Sequence, residues 1–428
     1  MVIKMINRLI YSNSSQIVNI GLRGITLLSK FLLVFFLGKF LEPSQLGLYG
    51  LLTVTISYSL YFLGFDFYIF TTREVLKSAS LQWGGLVKDQ AVISFILYLF
   101  FLPLLSLIFF KNILPWSLIA WFYILLVLEH LNQELSRLLV AVSEQLSASV
   151  NLFLRQGLWA LSLIFLMYND STYRTLHFVL VTWTVGSFLA LLIGIIRLYQ
   201  LGISGWLNDI DWKWIKRGLI TSVPFLIATL ALRALFTLDR YWFEALEGIE
   251  ALGAYVLFIG LCNALMSFLD AGVFSFTYPA LISTWNQKLP EGYRKILKRM
   301  IIQTGIISFG FSAVSLVAIE YLLLWLDKTI YIEKISLFPW LLSIMLLYSL
   351  GMIPHYALYS QGQDGPIIRG HLFSFAVFVF STWILTFYST ELAVPIGLCF
   401  TFMFILIWKS IAFYRLSPME YRLSIKKW

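Results

Sequence analysis

Residues 16–38 read QIVNIGLRGITLLSKFLLVFFLG, and this stretch decides the fold class. It is apolar along nearly its whole length but carries two cations, Arg23 and Lys30. A run of about 20 mostly apolar residues is long enough to cross the hydrocarbon core of a bilayer as a helix. The stretch therefore predicts a transmembrane helix with two basic side chains inside it.

The same pattern recurs along the rest of the chain. Hydrophobic residues make up 60% of the sequence and charged residues 12%, about half the charged fraction of a soluble domain. The sequence predicts an all-α membrane protein with about twelve spans and short connections, at 16–38, 46–70, 91–110, 114–132, 148–168, 176–198, 218–238, 251–275, 301–325, 337–360, 369–388 and 392–413.

Basic residues concentrate on one predicted side of the membrane. If the N-terminus is cytoplasmic, 21 of the 31 lysines and arginines, Lys409 among them, fall at that side and six at the other. Cytoplasmic connections of membrane proteins carry such an excess. We therefore expect a multi-pass protein of the bacterial inner membrane with both termini in the cytoplasm. The net charge of +9 then reflects topology, and no nucleic-acid partner is expected.

The chain divides into two halves of six spans. The connection from Tyr199 to Arg217 contains Trp206, Trp212 and Trp214 among charged residues, which predicts an amphipathic segment on the membrane surface. We place the boundary there, with an N-terminal lobe at 1–205 and a C-terminal lobe at 206–428.

Matching motifs indicate that the halves are a parallel internal repeat. Span 1 has Arg23 with Lys30 seven residues later, and span 7 has Arg233 with Arg240 seven residues later. A Gly-x-Tyr motif opens the next span in both halves, at 47–49 and at 253–255. Six spans per half give both copies the same orientation in the membrane, as in two-lobed transporters.

Four basic residues lie inside predicted spans: Arg23, Lys30, Arg155 and Arg233. Each costs about 2.5–3.5 kcal/mol at a helix centre, so such residues usually face an aqueous cavity or a partner. A cavity lined by fixed cations would hold an anion. The alternative is structural: the cations reach the membrane surface, or they pair with the acids Asp66, Glu129, Asp270 and Glu320.

The remaining chemistry-bearing residues form no recognisable catalytic motif. Cys262 and Cys399 lie in apolar stretches, the four histidines lack metal-ligand spacing, and there is no phosphate-binding loop of the Walker A type. We therefore expect no metal, no cofactor and no enzymatic activity. Asp66, Glu129 and Asp270 are candidates for ion coupling, because a desolvated carboxylate can bind a proton or a cation.

Several segments resemble Wzx-type polysaccharide flippases of the multidrug/oligosaccharidyl-lipid/polysaccharide (MOP) exporter superfamily. They are Gly24–Lys30, Glu42–Gly50, Leu63–Tyr68 with Arg73-Glu74, Glu129 through Glu134–Arg137, Arg155–Trp159, Asp239–Tyr241 and Gly253–Tyr255. The resemblance implies two lobes that open alternately to either side of the membrane. It also implies that basic residues of the first and seventh spans, here Arg23, Lys30 and Arg233, bind substrate.

The substrate implied by this resemblance is an oligosaccharide repeat unit on undecaprenyl pyrophosphate, moved to the outer leaflet. Its dense anionic head fits the cations Arg23, Lys30, Arg155, Arg233 and Arg240. Membrane lipid, a polysaccharide polymerase and a chain-length regulator are further expected partners. Three alternatives stay open: a small-molecule or drug exporter of the same superfamily, a membrane polysaccharide polymerase or ligase, and a membrane scaffold.

Overall fold

The computed structural model describes residues 2–77 and 83–423, with side chains from residue 18 onward. Every long regular element in these ranges is a helix, which confirms the all-α prediction. The helices are α1 Val2–Phe40, α2 Pro43–Gly64, α3 Tyr68–Lys77, α4 Trp83–Leu105, α5 Leu107–Phe110, α6 Ile119–Ala141, α7 Gln145–Phe153, α8 Trp159–Asn169, α9 Leu176–Gln200, α10 Trp212–Leu269, α11 Ser275–Asn286, α12 Pro290–Leu326, α13 Thr329–Glu333, α14 Leu337–Ser360, α15 Asp364–Leu385 and α16 Thr390–Leu416.

Ten helical runs in the described residues are long and apolar enough to cross a membrane. One of them, 75 residues at Trp212–Asn286, contains two predicted spans, because α10 consists of two helices joined at Gly248 (φ 85°, ψ 171°). Helix α6, predicted to span at 114–132, is not among the ten, since its second half is rich in charge. The predicted count of twelve is therefore approximate.

The chain forms two compact units. One comprises Met1–Glu42 and Leu51–Ile227, and the other comprises Pro43–Gly50 and Ala228–Trp428. We call them the first and second unit. The division falls within α10, after the predicted boundary at residues 205 and 206, and the first two turns of α2 group with the second unit. Two six-helix lobes remain a prediction.

The connection between α9 and α10 corresponds to the predicted amphipathic surface segment. Residues 201–211 are not helical, and α10 begins at Trp212. Trp214 is buried against the rings of Phe67 and Phe70, with centroids 5.4 and 5.1 Å away. Trp214 therefore packs inside the first unit, whereas Trp206 and Trp212 are exposed.

The repeated Gly-x-Tyr motifs meet at one helix crossing inside the second unit. A Cβ added to Gly47 would strike the backbone oxygen of Ile249, and one added to Gly253 would strike that of Pro43. Glycine is needed at both positions because backbone approaches backbone there. Packing thus accounts for the glycines of this motif.

Helices α14, α15 and α16 pack together in the second unit. Helices α6, α7 and α9 pack together in the first, where α1 crosses α7, α8 and the turn Leu154–Leu158. Gly157 lets α1 come close, since a Cβ there would lie 3.3 Å from Thr26 Cα. These two helix groups hold the polar clusters described next.

Candidate functional site

A buried ion pair lies at the centre of the first unit. Arg155 donates from Nε to Glu129 Oε2 at 2.7 Å, and its Nη2 lies 2.5 Å from the same oxygen. The other carboxylate oxygen, Oε1, accepts from Trp183 Nε1 at 2.8 Å and Ser187 Oγ at 2.9 Å. Every oxygen of this carboxylate is therefore satisfied, and Glu129 neutralises Arg155.

Arg155 is placed by a local departure from α-helical geometry. Residues Leu154–Leu158 form a π-helical turn between α7 and α8. Trp159 donates from Nε1 to the Arg155 carbonyl at 2.7 Å, which fixes the turn from the following helix. Such turns insert one residue into a helix and are frequent at functional sites. Here the turn directs Arg155 inward and presents Gln156 towards α1.

Arg23 and Lys30 lie two helical turns apart on α1, as their spacing predicts, and both are exposed. Arg23 Nε donates to Ser149 Oγ at 3.0 Å, and that hydroxyl in turn donates to Asn19 Oδ1. Lys30 Nζ donates to Gln156 Oε1 at 3.1 Å. Both cations are therefore held in place by neutral groups of the first unit.

The positive charge of this face is not compensated. Neither Arg23 nor Lys30 forms an ion pair with any residue whose side chain the structure describes. The ionised groups acting on Lys30 are Arg155 and Glu129, which already neutralise each other. We call Arg23, Lys30 and their partners Asn19, Ser149 and Gln156 the cationic face of the first unit.

A second polar layer, which sequence analysis missed, ties the helices behind this face. Asn151 donates from Nδ2 to the Ala190 carbonyl at 2.7 Å and accepts at Oδ1 from Ser136 Oγ, also at 2.7 Å. Asn132 donates from Nδ2 to the Ser187 carbonyl at 2.8 Å. These residues position α7 against α6 and α9. The sequence pattern that could have predicted this layer is the helical spacing of polar residues inside apolar spans.

The predicted basic residues of span 7 belong to the second unit. Arg233 is exposed on α10, and Arg240 lies two turns further along. The Nε of Arg240 is buried and meets no hydrogen-bond acceptor among the described residues. Its neighbour Asp239 is buried and accepts from Tyr255 Oη at 2.8 Å. Arg23, Lys30 and Arg155 thus lie together around α1. Arg233 and Arg240 lie elsewhere, on α10 of the second unit.

The three candidate coupling acids lie in different settings. Asp66 is in the turn between α2 and α3, with φ 50°, and its carbonyl accepts from Ser222 Oγ at 3.4 Å. Glu129 is occupied by Arg155. Asp270 opens a π-helical turn, Asp270–Phe274, and is exposed. No two of them are partners in a hydrogen bond.

One cation of the sequence analysis proves to be buried between helices. Lys409 was counted among charges at the cytoplasmic side, but it lies within α16 and is 3% exposed. Its Nζ is 3.2 Å from His355 Nδ1. Within the described residues no group of three metal-ligating side chains is present.

Comparison with known proteins bears on the fold. No protein-family model matches the chain, and no curated protein matches it. Solved structures do match. An inward-facing multidrug resistance MATE-family transporter of the MOP superfamily has a TM-score of 0.69, with 14% identity over 94% of this chain and 99% of that one. The chain has the fold of MOP-superfamily transporters.

Two further structures agree. A MOP-superfamily transporter from Pyrococcus furiosus has a TM-score of 0.62, with 15% identity over 94% of each chain. A eukaryotic MATE transporter has a TM-score of 0.59, with 14% identity over 98% of this chain and 97% of that one. At such low identity the likeness establishes the MOP fold of a multi-pass membrane protein, and substrate must be argued from this chain's own residues.

Proposed function

We propose that this protein is a flippase for undecaprenyl-pyrophosphate-linked oligosaccharide repeat units of O-antigen, capsule or exopolysaccharide. It would carry them from the cytoplasmic to the outer leaflet of the bacterial inner membrane by alternating access, without a chemical reaction. The observation that supports this proposal is the cationic face, where Arg23 and Lys30 are exposed and held by neutral partners.

The substrate's head group fits this arrangement chemically. A pyrophosphate offers several anionic oxygens, which an arginine fork binds in pairs and a lysine binds as a point charge. Because the Glu129 carboxylate is taken up by Arg155, it does not compete with an anion for Lys30. Arg233 and Arg240 of the second unit are proposed as further phosphate-binding residues.

The neutral partners would orient the cations before substrate arrives. Ser149 and Gln156 lie on α7 and the π-helical turn, which are packed against α1. Each hydrogen bond limits the rotamers of a long side chain, and so reduces the ordering cost of binding. The MOP transporter from Pyrococcus furiosus is described as having a binding pocket of reverse polarity that suggests a different function. A substrate site lined by cations would likewise suit an anionic substrate rather than the export of cations.

Small-molecule export is the second candidate. Several chains of matching fold are multidrug transporters, and the exposed carboxylate of Asp270 in the second unit would suit a cationic substrate. This candidate places the substrate contacts at Asp270 rather than at Arg23 and Lys30. The two functions therefore predict different sensitive residues.

The first experiment uses purified protein in liposomes containing a fluorescent undecaprenyl-pyrophosphate trisaccharide. Dithionite destroys the dye in the outer leaflet, so transbilayer movement raises the quenched fraction above one half. We expect wild-type protein to do this, and Arg23→Gln with Lys30→Gln to slow it at least about tenfold. Each charge-assisted hydrogen bond to an anion contributes about 1.5–3 kcal/mol, and 1.4 kcal/mol corresponds to a factor of ten.

Lys39→Gln is the matched control, because Lys39 is a cation in the last turn of the same helix. It should leave the rate near that of wild type. Equal rates for the control and the Arg23, Lys30 double variant would overturn the role of the cationic face. Efflux of a cationic dye that depends on Asp270, with no movement of the trisaccharide lipid, would establish the second candidate.

The cellular counterpart is deletion of the gene in its host. We expect loss of surface polysaccharide and accumulation of undecaprenyl pyrophosphate carrying a single repeat unit. Normal surface polysaccharide without accumulation, in a strain lacking other flippases, would contradict the proposal.

A further inference from the structure

The second unit contains a buried cation that lacks a carboxylate partner. Lys409 is 3% exposed, and no described carboxylate oxygen lies within 4 Å of its Nζ. The three packed helices α14, α15 and α16 contain only two acids, Asp364 and Glu391. Glu391 lies 18 residues from Lys409 on α16, about 27 Å along the axis, and it binds Lys334 instead.

Two histidines surround this lysine in place of acids. His355 of α14 presents Nδ1 at 3.2 Å from Lys409 Nζ. The ring of His371, from α15, stacks on that of His355 with centroids 6.2 Å apart and planes inclined by 8°. His371 is 5% exposed, and its Nε2 is buried without a hydrogen-bond partner among the described residues. Three helices thus bring three nitrogen bases to one place.

The short contact between Lys409 and His355 constrains the protons. A hydrogen bond needs one donor and one acceptor, so either an ammonium group donates to a bare Nδ1 or an Nδ1–H donates to a neutral amine. Two donors facing each other would repel, and two acceptors would leave buried lone pairs unsatisfied. One proton therefore lies between Lys409 Nζ and His355 Nδ1 in this 3.2 Å contact. The Nε2 of His371 has no hydrogen-bond partner among the described residues, so a second proton can bind there without breaking a hydrogen bond.

We propose that Lys409, His355 and His371 form a proton-binding site within the second unit. The site takes up and releases a proton at the bases themselves, with no carboxylate in it. It is neutral when empty and positive when loaded, because none of its members is an acid. This site is independent of the oligosaccharide proposed above, and it does not use Asp66, Glu129 or Asp270.

His355 is the member through which protons would enter. It is only half-buried, whereas Lys409 and His371 are buried. Its ring stacks on that of Tyr359, which is exposed, with centroids 6.5 Å apart. All three members lie about two turns or less from the helix ends at Ser360, Asp364 and Leu416. The path from the bases to the end of the bundle is therefore short.

The ionisable groups around the site are mostly phenols. From α14 come His355, Tyr356 and Tyr359, from α15 comes His371, from α11 comes Tyr278, and from α12 comes Tyr293, which bonds the Ala357 carbonyl. The carboxylate of Asp270 acts electrostatically on Tyr356. Arg369 is exposed on α15 and bonds its own helix. Besides these phenols, Asp270 and Arg369, the ionisable groups at this place are the three bases themselves.

The test follows the histidines directly. The chain has only four histidines, so protein labelled with ¹⁵N-histidine and reconstituted in liposomes gives few signals, which His355→Gln and His371→Gln assign. Between pH 5 and 9 we expect His355 and His371 to change in one common transition. In Lys409→Met that transition should shift by at least one pH unit.

Three results would overturn the proposal. Signals of His355 and His371 that stay constant from pH 5 to 9 in wild-type protein would show that the site does not exchange protons, whether or not any variant folds. A transition that is unchanged in Lys409→Met would show that the lysine is not part of the proton-binding site. Replacing chloride by gluconate at constant pH should change nothing, and a shift would indicate an anion site instead. No oligosaccharide lipid is present, so either outcome leaves the proposed function unaffected.

Discussion

The two units bury a cation by different means. Arg155 in the first unit is 7% exposed and Lys409 in the second is 3% exposed. Arg155 bonds a carboxylate that is itself satisfied by Trp183 and Ser187. Lys409 bonds a histidine ring nitrogen. Arginine cannot lose its proton in a protein, so it requires a counter-ion, whereas lysine can be buried as the neutral amine.

This difference distinguishes a charged group that only holds helices together from a group that can gain or lose a proton. The Glu129–Arg155 pair is neutral as a whole and holds α6 to the π-helical turn. The cluster at Lys409 changes its net charge when it binds a proton. Cations of the same helical protein therefore have different roles, which depend on the partner and not on burial. Four substitutions test this distinction, in order of decreasing effect.

The largest effect is expected from Glu129→Gln. The change leaves Arg155 as an uncompensated buried charge, which costs about 3–5 kcal/mol. We expect a large fall in the thermal unfolding temperature of the detergent-solubilised protein and a low yield of monodisperse protein. Glu129→Gln combined with Arg155→Met should recover most of that loss. A double variant no more stable than Glu129→Gln would contradict a pair held by charge neutralisation.

Lys409→Arg should come next, because it replaces an exchangeable cation with a permanent one. Without a carboxylate nearby we expect a cost of about 2–3 kcal/mol, measured by thermal unfolding. Lys409→Met fills a similar space without charge and should change stability by less than about 1 kcal/mol at pH 8. An arginine variant as stable as the methionine variant would show that this position tolerates a permanent charge, and would contradict the distinction drawn here.

A third cation, Lys334, lies outside the predicted spans and bonds two carboxylates. Its Nζ is 2.7 Å from Glu247 Oε2 and 2.9 Å from Glu391 Oε2. Burial acts to lower the pKa of Lys334, but the two carboxylates outweigh burial and raise the pKa. Lys334→Met should cost about 1.5–3 kcal/mol, because it leaves like charges facing each other.

The pH dependence of this cost follows from the raised pKa of Lys334. Its contribution is complete below the unfolded pKa of about 10.4 and is lost only as pH rises through the folded pKa. The difference in unfolding temperature between wild type and Lys334→Met should therefore be constant from pH 6 to 9. A difference that shrinks within this range would contradict the raised pKa.

The smallest effect is expected at the partly exposed pair of Glu144 with Arg197. The guanidinium donates to both carboxylate oxygens at 2.9–3.1 Å. Burial acts to raise the pKa of Glu144, but hydrogen bonds from Arg197 and Ser147 lower it. Glu144→Gln should cost only about 0.2–1 kcal/mol, because solvent screens the pair.

A lowered carboxyl pKa gives stability that is present above the unfolded pKa, about 4.3 for glutamate, and is lost as pH falls through the folded pKa. Wild type and Glu144→Gln should therefore differ at pH 6 and converge below about pH 4. If Glu144→Gln lowered the stability as much as Glu129→Gln, the expected difference between exposed and buried ion pairs would be contradicted.

Much of the fold was predictable, and part of the cationic face as well. Long apolar runs indicate membrane helices because the bilayer allows little else. The seven-residue spacing of Arg23 and Lys30 placed them on one side of α1. The repeated Gly-x-Tyr motif was visible in sequence, but only packing shows that Gly47 and Gly253 meet at one crossing.

Partners were not predictable. Asp66, Glu129, Asp270 and Glu320 were all acids inside predicted spans, and nothing in their spacing indicated that Glu129 alone bonds Arg155. The π-helical turn that directs Arg155 inward has no reliable sequence pattern. Lys409 was assigned to the membrane surface because it lies near the end of a span, where lysines commonly reach water.

The sequence by itself determined that this chain is a helical membrane protein with cations inside its apolar runs. Those properties depend on composition and on the local period of a helix, which each segment carries alone. Only the tertiary structure decided which cation is neutralised, which is exposed between neutral partners and which meets two histidines. Those outcomes depend on contacts between helices far apart in the chain, because the partner that each cation meets there decides its role.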